Sequence, residues 1–501
     1  MIATVILRGQ SISEWNYLNP DEAELMFQAR AARHSPVPFS TWITGTTGPV
    51  WPLLLAGLNA FGAPLTLAFA HLLAAVLLAL TATALFVVAS RAIGRGPALL
   101  VTIVWWFPIA TIFPIGVPLD FGALSTEYLP TLLVVASALV PREQLAVRPW
   151  LFVVLGAVAG LAVAAKFQVG PLAAAFAVAQ VIALRLSVKR IVVAVLWWLS
   201  GAVLPVAIIV LVMVASPTTN WSLVDQTFSF LASYAGGPTT MQKVVRTFTA
   251  LVTPGVYVLV VLAGVAWLGR HSEKRSNVAR VVLIAGGLVS MYIGGMGFPH
   301  YLILFFGALG LAATMPLKPD AQLVPQGVAP AVLAGGLAIL LAVILVANYT
   351  FQLWRPLSLQ KAVAAFSTDA VNRNASMARA CPPGSSALVW GWAPELHIAQ
   401  DWQSTVPYAN ILGLAASPAI RDAAEPVVRA GIDRASCVID ATNLKRPQCP
   451  VVRTEQPVGY CLPPTVMLPR IYPQLSALIG RQFHNVPITD GCDGCTFYVR
   501  N

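Results

Sequence analysis

Residues 64–90 read PLTLAFAHLLAAVLLALTATALFVVAS and contain no Asp, Glu, Lys or Arg. About 20 apolar residues are enough to cross a bilayer as a helix. Similar runs recur along the chain and predict ten membrane spans. They cover approximately residues 64–90, 97–118, 124–140, 150–166, 168–184, 191–214, 252–269, 281–296, 299–315 and 328–349.

The composition of the whole chain supports this prediction. Of the 501 residues, 57% are hydrophobic and 10% are charged, whereas a soluble domain carries roughly 25% charged residues. The mean hydropathy of +0.75 excludes an ordinary cytoplasmic enzyme, and the abundance of apolar groups excludes a disordered chain. The net charge is +11. However, the sequence has no basic run interleaved with aromatic residues, which is the pattern that would predict a nucleic-acid partner. Membrane lipids are the predicted surroundings instead.

The loops between the predicted spans alternate in charge. The more basic set carries Arg91, Arg95, Arg142, Arg148, Arg185, Lys189, Arg190, Arg270, Lys274, Arg275, Arg280 and Lys318. Basic loops stay on the cytoplasmic side of a membrane. This predicts a multi-pass protein of the plasma or inner membrane, in which residues 64–349 form the transmembrane domain and residues 1–63 and 350–501 lie outside.

The cysteines give an independent indication of the same orientation. All of them fall in the polar segment 350–501, as Cys381, Cys437, Cys449, Cys461, Cys492 and Cys495. An even set confined to one polar segment predicts disulfides in an oxidising compartment, although six cysteines allow 15 pairings and the sequence does not choose among them. Strand-like patterns at 386–392, 437–440 and 496–499, with a helix from Pro394, predict a small extracytoplasmic α/β domain.

The segment 1–63 is predicted to be an external loop of short amphipathic helices lying on the membrane. The chain opens with MIATVILR, which is typical of the last turns of a helix, so the first helix is expected to be truncated. Asn19 and Pro20, followed by Asp21 and Glu22, predict the start of another helix. Trp42 and Trp51 suit a membrane interface.

Ionisable groups at a membrane boundary are costly and are therefore functional candidates. The predicted topology brings one such set to the outer face, namely Asp21, Glu22, Glu24, Asp120, Glu127, Lys166 and His300. Acids and bases collected at that face suit chemistry on a substrate that is half lipid and half polar. Glu24 is interpreted as solvated surface.

Several motifs in this chain, each of them short, resemble those of the GT-C superfamily of membrane glycosyltransferases, in particular bacterial aminoarabinose transferases and protein O-mannosyltransferases. The most informative is NPDEA at 19–23. The others, in matching order, are GTTGPVWPLLL at 45–55, GLAVAAKF at 160–167, PHYLIL at 299–304 and VWGWAPEL at 389–396. The truncated first helix and the six cysteines of the tail depart from the usual pattern of that superfamily.

The resemblance implies an inverting transfer of a sugar from a polyprenyl-phosphate donor to a hydroxyl of a glycan, lipid or protein acceptor. It places the general base at Asp21, with Glu22 as a second catalytic candidate. A carboxylate within about 3 Å of a hydroxyl can accept its proton as the new bond forms. The donor and its phosphate are expected to meet Lys166, His300, Asp120 and Glu127. Among these, Lys166, helped by His300, would supply the fixed cation that stabilises a leaving phosphate. The acidic pair could bind a divalent metal, but no ligand spacing demands a metal or another cofactor.

Alternative interpretations remain open at this stage. The chain could be a transporter or lipid flippase, although these proteins are expected to carry broken helices or charges near the bilayer midplane, or a scaffold whose tail binds partners. Among the site residues, Asp21 could serve only the helix N-terminus, and Asp120 and Glu127 could cap the third span. Lys166 could extend to the membrane interface, and His300 could be a structural residue at a helix end.

Overall fold

The computed structural model describes most of the chain. The described residues are Thr4 and Arg8, and the ranges 19–110, 121–236, 238–252, 256–295, 297–317, 375–391, 393–409, 418–442, 468–488 and 495–501. Two predictions fall largely or wholly outside them: the truncated helix at the start of the chain and the tenth span at 328–349.

The described helices cover most of the chain up to residue 313. They are α1 (Pro20–His34), α2 (Val50–Ala60), α3 (Leu67–Ile93), α4 (Arg95–Ala110), α5 (Tyr128–Ser137), α6 (Arg142–Val147), α7 (Phe152–Ala165), α8 (Gly170–Leu184), α9 (Val188–Ala215), α10 (Trp221–Gly236), α11 (Thr240–Val252), α12 (Val256–Arg270), α13 (Lys274–Ile293) and α14 (Leu302–Ala313). Short 3₁₀ turns at Pro149–Leu151, Phe167–Val169 and Pro299–Tyr301 precede α7, α8 and α14.

Helices and strands mix in the remainder. The described helices there are α15 (Ala375–Ala380), α16 (Glu395–Gln400), α17 (Pro418–Arg434), α18 (Leu468–Ile471) and α19 (Pro473–Gln482). The strands are β1 (Ser386–Trp390), β2 (Gln403–Ser404), β3 (Cys437–Asp440), β4 (Phe483–Asn485) and β5 (Thr496–Arg500).

These elements form two compact units, each built from separate segments of sequence. The first unit comprises Met1–Tyr17, Ala70–Leu211 and Pro238–Ala362, and the second comprises Leu18–Phe69, Val212–Gly237 and Val363–Asn501. The second unit therefore joins the loop near the start of the chain to the cysteine-containing tail.

Apolar helices of membrane-spanning length confirm a membrane location. Among the described residues, four are long and apolar enough to cross a bilayer: Leu67–Ile93, Phe167–Leu184, Val188–Ala215 and Lys274–Ile293. The helices Thr240–Val252 and Tyr257–Arg270, which meet at an angle of 86°, would add a fifth if they are counted as one span. Each predicted span between residues 64 and 315 overlaps an apolar helix. The total of ten spans stays a prediction.

Helix α9 shows how this chain differs from a water-soluble bundle. Apolar side chains such as Leu196, Val203 and Leu211 are exposed along its length. A soluble protein rarely exposes so continuous an apolar surface, and a hydrocarbon environment would cover it.

Small residues let α7 and α9 pack with their backbones in contact. A Cβ atom added at Gly156 would lie 2.0 Å from the carbonyl oxygen of Trp198, and one added at Gly160 would lie 2.2 Å from that of Ala202. Close approach through small residues is a common way for membrane helices to associate. This packing fixes the position of α7, which ends just before Lys166.

The described part of the tail contains both helices and a five-stranded sheet. Its sheet has the strand order β2-β1-β3-β5-β4, in which β1 pairs in parallel with β2 and β3, and β5 pairs antiparallel with β3 and β4. A disulfide joins Cys381 to Cys437, and Cys495 is also disulfide-bonded. The other three cysteines, Cys449, Cys461 and Cys492, lie outside the described residues.

The helix predicted from Asn19 and Pro20 is confirmed as α1. The side chain of Asn19 accepts hydrogen bonds from the backbone N–H groups of Asp21 and Glu22, at 2.8 and 3.4 Å, which satisfies donors that a helix start leaves unpaired. Trp42 and Trp51 are not the exposed interface residues that the sequence predicts. Both side chains are fully buried in the second unit.

Candidate functional site

Three ionisable side chains that are distant in sequence meet inside the first unit. The ammonium of Lys166 lies 3.4 Å from one carboxylate oxygen of Glu127, and Nε2 of His300 lies 3.9 Å from the other. The exposed fractions of Glu127, Lys166 and His300 are 0%, 2% and 3%. We call these three residues the polar cluster.

Hydroxyl groups complete the surroundings of the Glu127 carboxylate. Ser125 and Thr126 donate hydrogen bonds to the oxygen that faces His300, at 2.5 and 3.0 Å. A buried charge is tolerated when it is both paired and hydrogen-bonded. The carboxylate of Glu127 meets both conditions.

Breaks in the helices place the members of the polar cluster. Lys166 has an extended backbone between α7 and the turn Phe167–Val169, so its side chain leaves the regular helical pattern. His300 lies in the turn Pro299–Tyr301 that opens α14. Its ring stacks on that of Phe298, with centroids 5.3 Å apart and planes inclined by 17°.

The geometry decides between some of the alternatives. Glu127 occupies the position before α5, but its side chain makes no capping hydrogen bond there, so helix capping does not account for it. Lys166 is buried and its ammonium faces Glu127 rather than an exposed surface. Its Nζ lies 5.8 Å from the centre of the Tyr301 ring, which adds a cation–π contact inside the unit.

The two catalytic candidates of the first loop lie on α1 in the second unit. Asp21 is partly buried and Glu22 is fully buried, both in the first turn of the helix. Carboxylates are favourable there because the first turn presents unpaired N–H groups and a positive dipole end. That arrangement fits both a structural role and a poised base.

Glu24 is not the solvated residue that the sequence predicts. It is buried and accepts a hydrogen bond from the side chain of Gln28 at 3.0 Å. A Cβ atom added at Gly45 would lie 2.1 Å from a carboxylate oxygen of Glu24. The acidic helix and the glycine of the GTTGPVW stretch are therefore in direct contact.

Sequence reasoning missed several neighbours of the polar cluster. Ser125 and Thr126 precede Glu127 directly, and a run of hydroxyl residues before a buried acid could have indicated them. Tyr301 and Gln168 carry no charge and gave no signal. Asp120, the remaining candidate, lies outside the described residues.

Neither the polar cluster nor the first turn of α1 brings together enough ligands to hold a metal ion. Within the ranges that the structure describes, no set of three or more His, Cys, Asp or Glu residues is arranged to hold a metal ion.

The comparisons with known proteins identify one similar solved structure. No family model matches this sequence, and no curated protein matches it. The crystal structure of ArnT from Cupriavidus metallidurans bound to undecaprenyl phosphate is similar with a TM-score of 0.53 and 14% identity, covering 99% of this chain and 96% of that chain. The resemblance to GT-C enzymes is thus confirmed at the level of the fold: along nearly its whole length, this chain has the GT-C-like fold of ArnT.

Proposed function

We propose that this protein is an inverting glycosyltransferase that moves a sugar from a polyprenyl-phosphate donor to a hydroxyl acceptor on the outer face of the membrane. The observation that carries the proposal is the polar cluster. Buried ionisable groups are rare inside an apolar helical unit and usually mark a functional site. The GT-C-like fold and the NPDEA motif supply the reaction class.

The proposed donor follows from the chemistry of the cluster and from the neighbour. The ArnT crystal contains undecaprenyl phosphate, and a polyprenyl phosphate linked to a sugar combines an apolar tail with an anionic headgroup. Lys166 is the cation proposed to stabilise the phosphate as it leaves, with His300 beside it as a second group, because fixed charges in a dry site act strongly on developing charge.

The polar cluster gives Glu127 a more specific role than phosphate binding. An anionic carboxylate repels a phosphate, but it can hold the ammonium of Lys166 and the imidazole of His300 in place from one side. We therefore assign Glu127 as a positioning residue for these two side chains. Asp120 keeps its predicted role near the donor.

Asp21 is the proposed general base. A hydroxyl is a poor nucleophile, and a carboxylate that accepts its proton during attack typically contributes 10²–10⁴-fold to the rate. Direct attack at the anomeric carbon breaks the bond to the phosphate as the bond to the acceptor forms, so configuration inverts. Glu22, buried beside Asp21, is proposed to assist, and no step requires a metal.

Transfer by the purified protein in lipid nanodiscs tests the proposal. The assay supplies labelled undecaprenyl phosphates that carry a pentose or a hexose, together with an envelope extract as acceptor. We expect transfer with one donor class and inverted configuration in the product, measured by NMR. Asp21→Asn should abolish transfer with normal folding, whereas Asp225→Asn, at an exposed position on α10, should leave it unchanged.

Two outcomes would contradict the proposal. An active Asp21→Asn protein would remove the base. Movement of intact donor across the bilayer without transfer would favour a lipid flippase instead.

A further inference from the structure

A neutral side chain next to the polar cluster is buried with its hydrogen-bonding groups unused. Gln168, two residues after Lys166, has an exposed fraction of 8%. Neither its amide nitrogen nor its amide oxygen has a hydrogen-bond partner among the described residues. A buried polar group without a partner costs about 1–3 kcal/mol, so an amide in this state requires an explanation.

The amide of Gln168 and the ring of Tyr301, which lies against the polar cluster, both approach Gly294. A Cβ atom added at Gly294 would lie 1.8 Å from Nε2 of Gln168 and 2.5 Å from Cε2 of Tyr301. Gln168 and Tyr301 therefore flank the same glycine. The ring of Tyr301 lies 4.8 Å from that of His300, centroid to centroid, and beneath the ammonium of Lys166.

The chemistry of the amide selects the group that it can bind. A phosphate only accepts hydrogen bonds, so it would satisfy the N–H groups of Gln168 and leave the amide oxygen unpaired. A hydroxyl donates one hydrogen bond and accepts others. It can serve both ends of the amide, and this holds for either orientation of the amide group.

We infer that Gln168 is a subsite for a sugar hydroxyl of the donor, beside Lys166 and His300, which are proposed to hold its phosphate. The inference rests on the proposed function and adds a residue to that site. It divides the donor headgroup in two: Lys166 and His300 serve the charged part, and Gln168 serves the uncharged part.

The energetics of substitution distinguish this role from a structural one. If Gln168 stabilised the fold, its replacement by an apolar residue would lower the melting temperature. Because its polar atoms have no partner within the described residues, Gln168→Met should leave the melting temperature unchanged or raise it. Residues kept for function commonly reduce stability in this way.

Binding of two lipids in nanodiscs tests the inference. The probes are bare undecaprenyl phosphate and undecaprenyl phosphate linked to the sugar that the wild-type protein prefers, drawn from a panel of pentoses and hexoses. Gln168→Met should weaken binding of the sugar-linked lipid about tenfold or more, as expected for a lost hydrogen bond in a buried site, and change binding of the bare lipid less than about twofold.

A second variant and a control keep the test independent of folding. Gln168→Leu removes the amide with a second apolar side chain and leaves Tyr301 unchanged, and it should weaken the same lipid selectively. Gln144→Leu makes a similar change at an exposed glutamine of α6 and should alter neither affinity.

The remaining outcomes separate the inference from the proposed function. Equal weakening of both lipids, or no weakening, by Gln168→Met would overturn the hydroxyl subsite. So would wild-type protein that transfers sugar yet binds both lipids equally. Wild-type protein that neither binds nor transfers any sugar-linked lipid would overturn the proposed function as well.

Discussion

The guanidinium of Arg30 lies 3.3 Å from the carboxylate of Asp401, across 371 residues of sequence. It also lies 3.4 Å from the backbone oxygen of His397, near the end of α16, where the helix dipole favours a cation. The ion pair is partly exposed and contributes little alone. Together with the contact between the rings of Phe27 and His397, 5.2 Å apart, it attaches α1 to the tail.

His397 makes this attachment sensitive to acid. Burial, followed by the nearby charge of Arg30, lowers the pKa of His397 to about 3, whereas an unfolded histidine titrates near 6.5. Between these values the unfolded state binds the extra proton, so stability falls as the pH drops below about 6.5. We expect the melting temperature of the wild-type protein to fall between pH 7 and pH 5 more steeply than that of His397→Leu. Equal slopes in the two proteins would refute this account.

The contact between Glu24 and Gly45 predicts that a larger side chain at position 45 displaces the Glu24 carboxylate from its hydrogen bond to Gln28 and lowers stability. Gly45→Ala would place a methyl group against the Glu24 carboxylate, and overpacking of this kind typically costs about 1–3 kcal/mol. Thermal unfolding in nanodiscs should show a lower melting temperature. Gly57→Ala is the matched control, because no atom lies within 4 Å of the added Cβ. It should be neutral or stabilising by about 0.5–1 kcal/mol, since alanine is the better helix former. A neutral Gly45→Ala protein would contradict the contact.

The ion pair between Lys166 and Glu127 predicts a non-additive pair of substitutions. Lys166→Met leaves a buried carboxylate without its main cation, which typically costs about 3–5 kcal/mol. Adding Glu127→Gln removes that charge, so the double variant should be more stable than Lys166→Met alone. A double-mutant cycle of unfolding free energies measures the coupling. Additive losses would mean that the two groups do not interact. Transfer activity should stay low in both variants, because neither has the ammonium of Lys166.

The disulfide between Cys381 and Cys437 predicts a redox-dependent stability of the tail. It closes a loop with a sequence separation of 56 residues, for which restriction of the unfolded chain contributes about 4 kcal/mol. Reductant should lower the melting temperature of the wild-type protein, and Cys381→Ala with Cys437→Ala should reproduce part of that drop without reductant, because Cys495 is also disulfide-bonded. If the double variant melts like the oxidised wild-type protein, this bond is not the stabilising one.

Local patterns made much of the fold predictable. The start of α1 follows from an Asn and a Pro before two acids, and the strand at Cys437–Asp440 matches its predicted bounds. Apolar runs also located the helices, since each run must be buried or lie in lipid. For Lys166, His300 and Glu127, the sequence predicted only that all three lie at the outer face of the membrane. It did not predict which of them pair.

The properties that sequence did not reveal depend on distant partners. Glu24 looks like a surface residue until Gly45 is brought against it, and Trp42 resembles an interface anchor until it packs on Ala32 and Ala56. Gln168 was overlooked because a neutral amide between apolar residues gives no charge signal. Only the three-dimensional structure shows that its amide nitrogen and oxygen are buried without a hydrogen-bond partner among the described residues.

The assembly of the second unit from both ends of the chain sets an order of events during synthesis. Arg30 leaves the ribosome 367 residues before His397, an interval of roughly 20–70 s at about 5–20 residues per second. For that time the apolar side of α1 has no tail to pack against, while the intervening spans are inserted. The acid-bearing helix therefore reaches its final packing against α16 only after residue 401 has been synthesised.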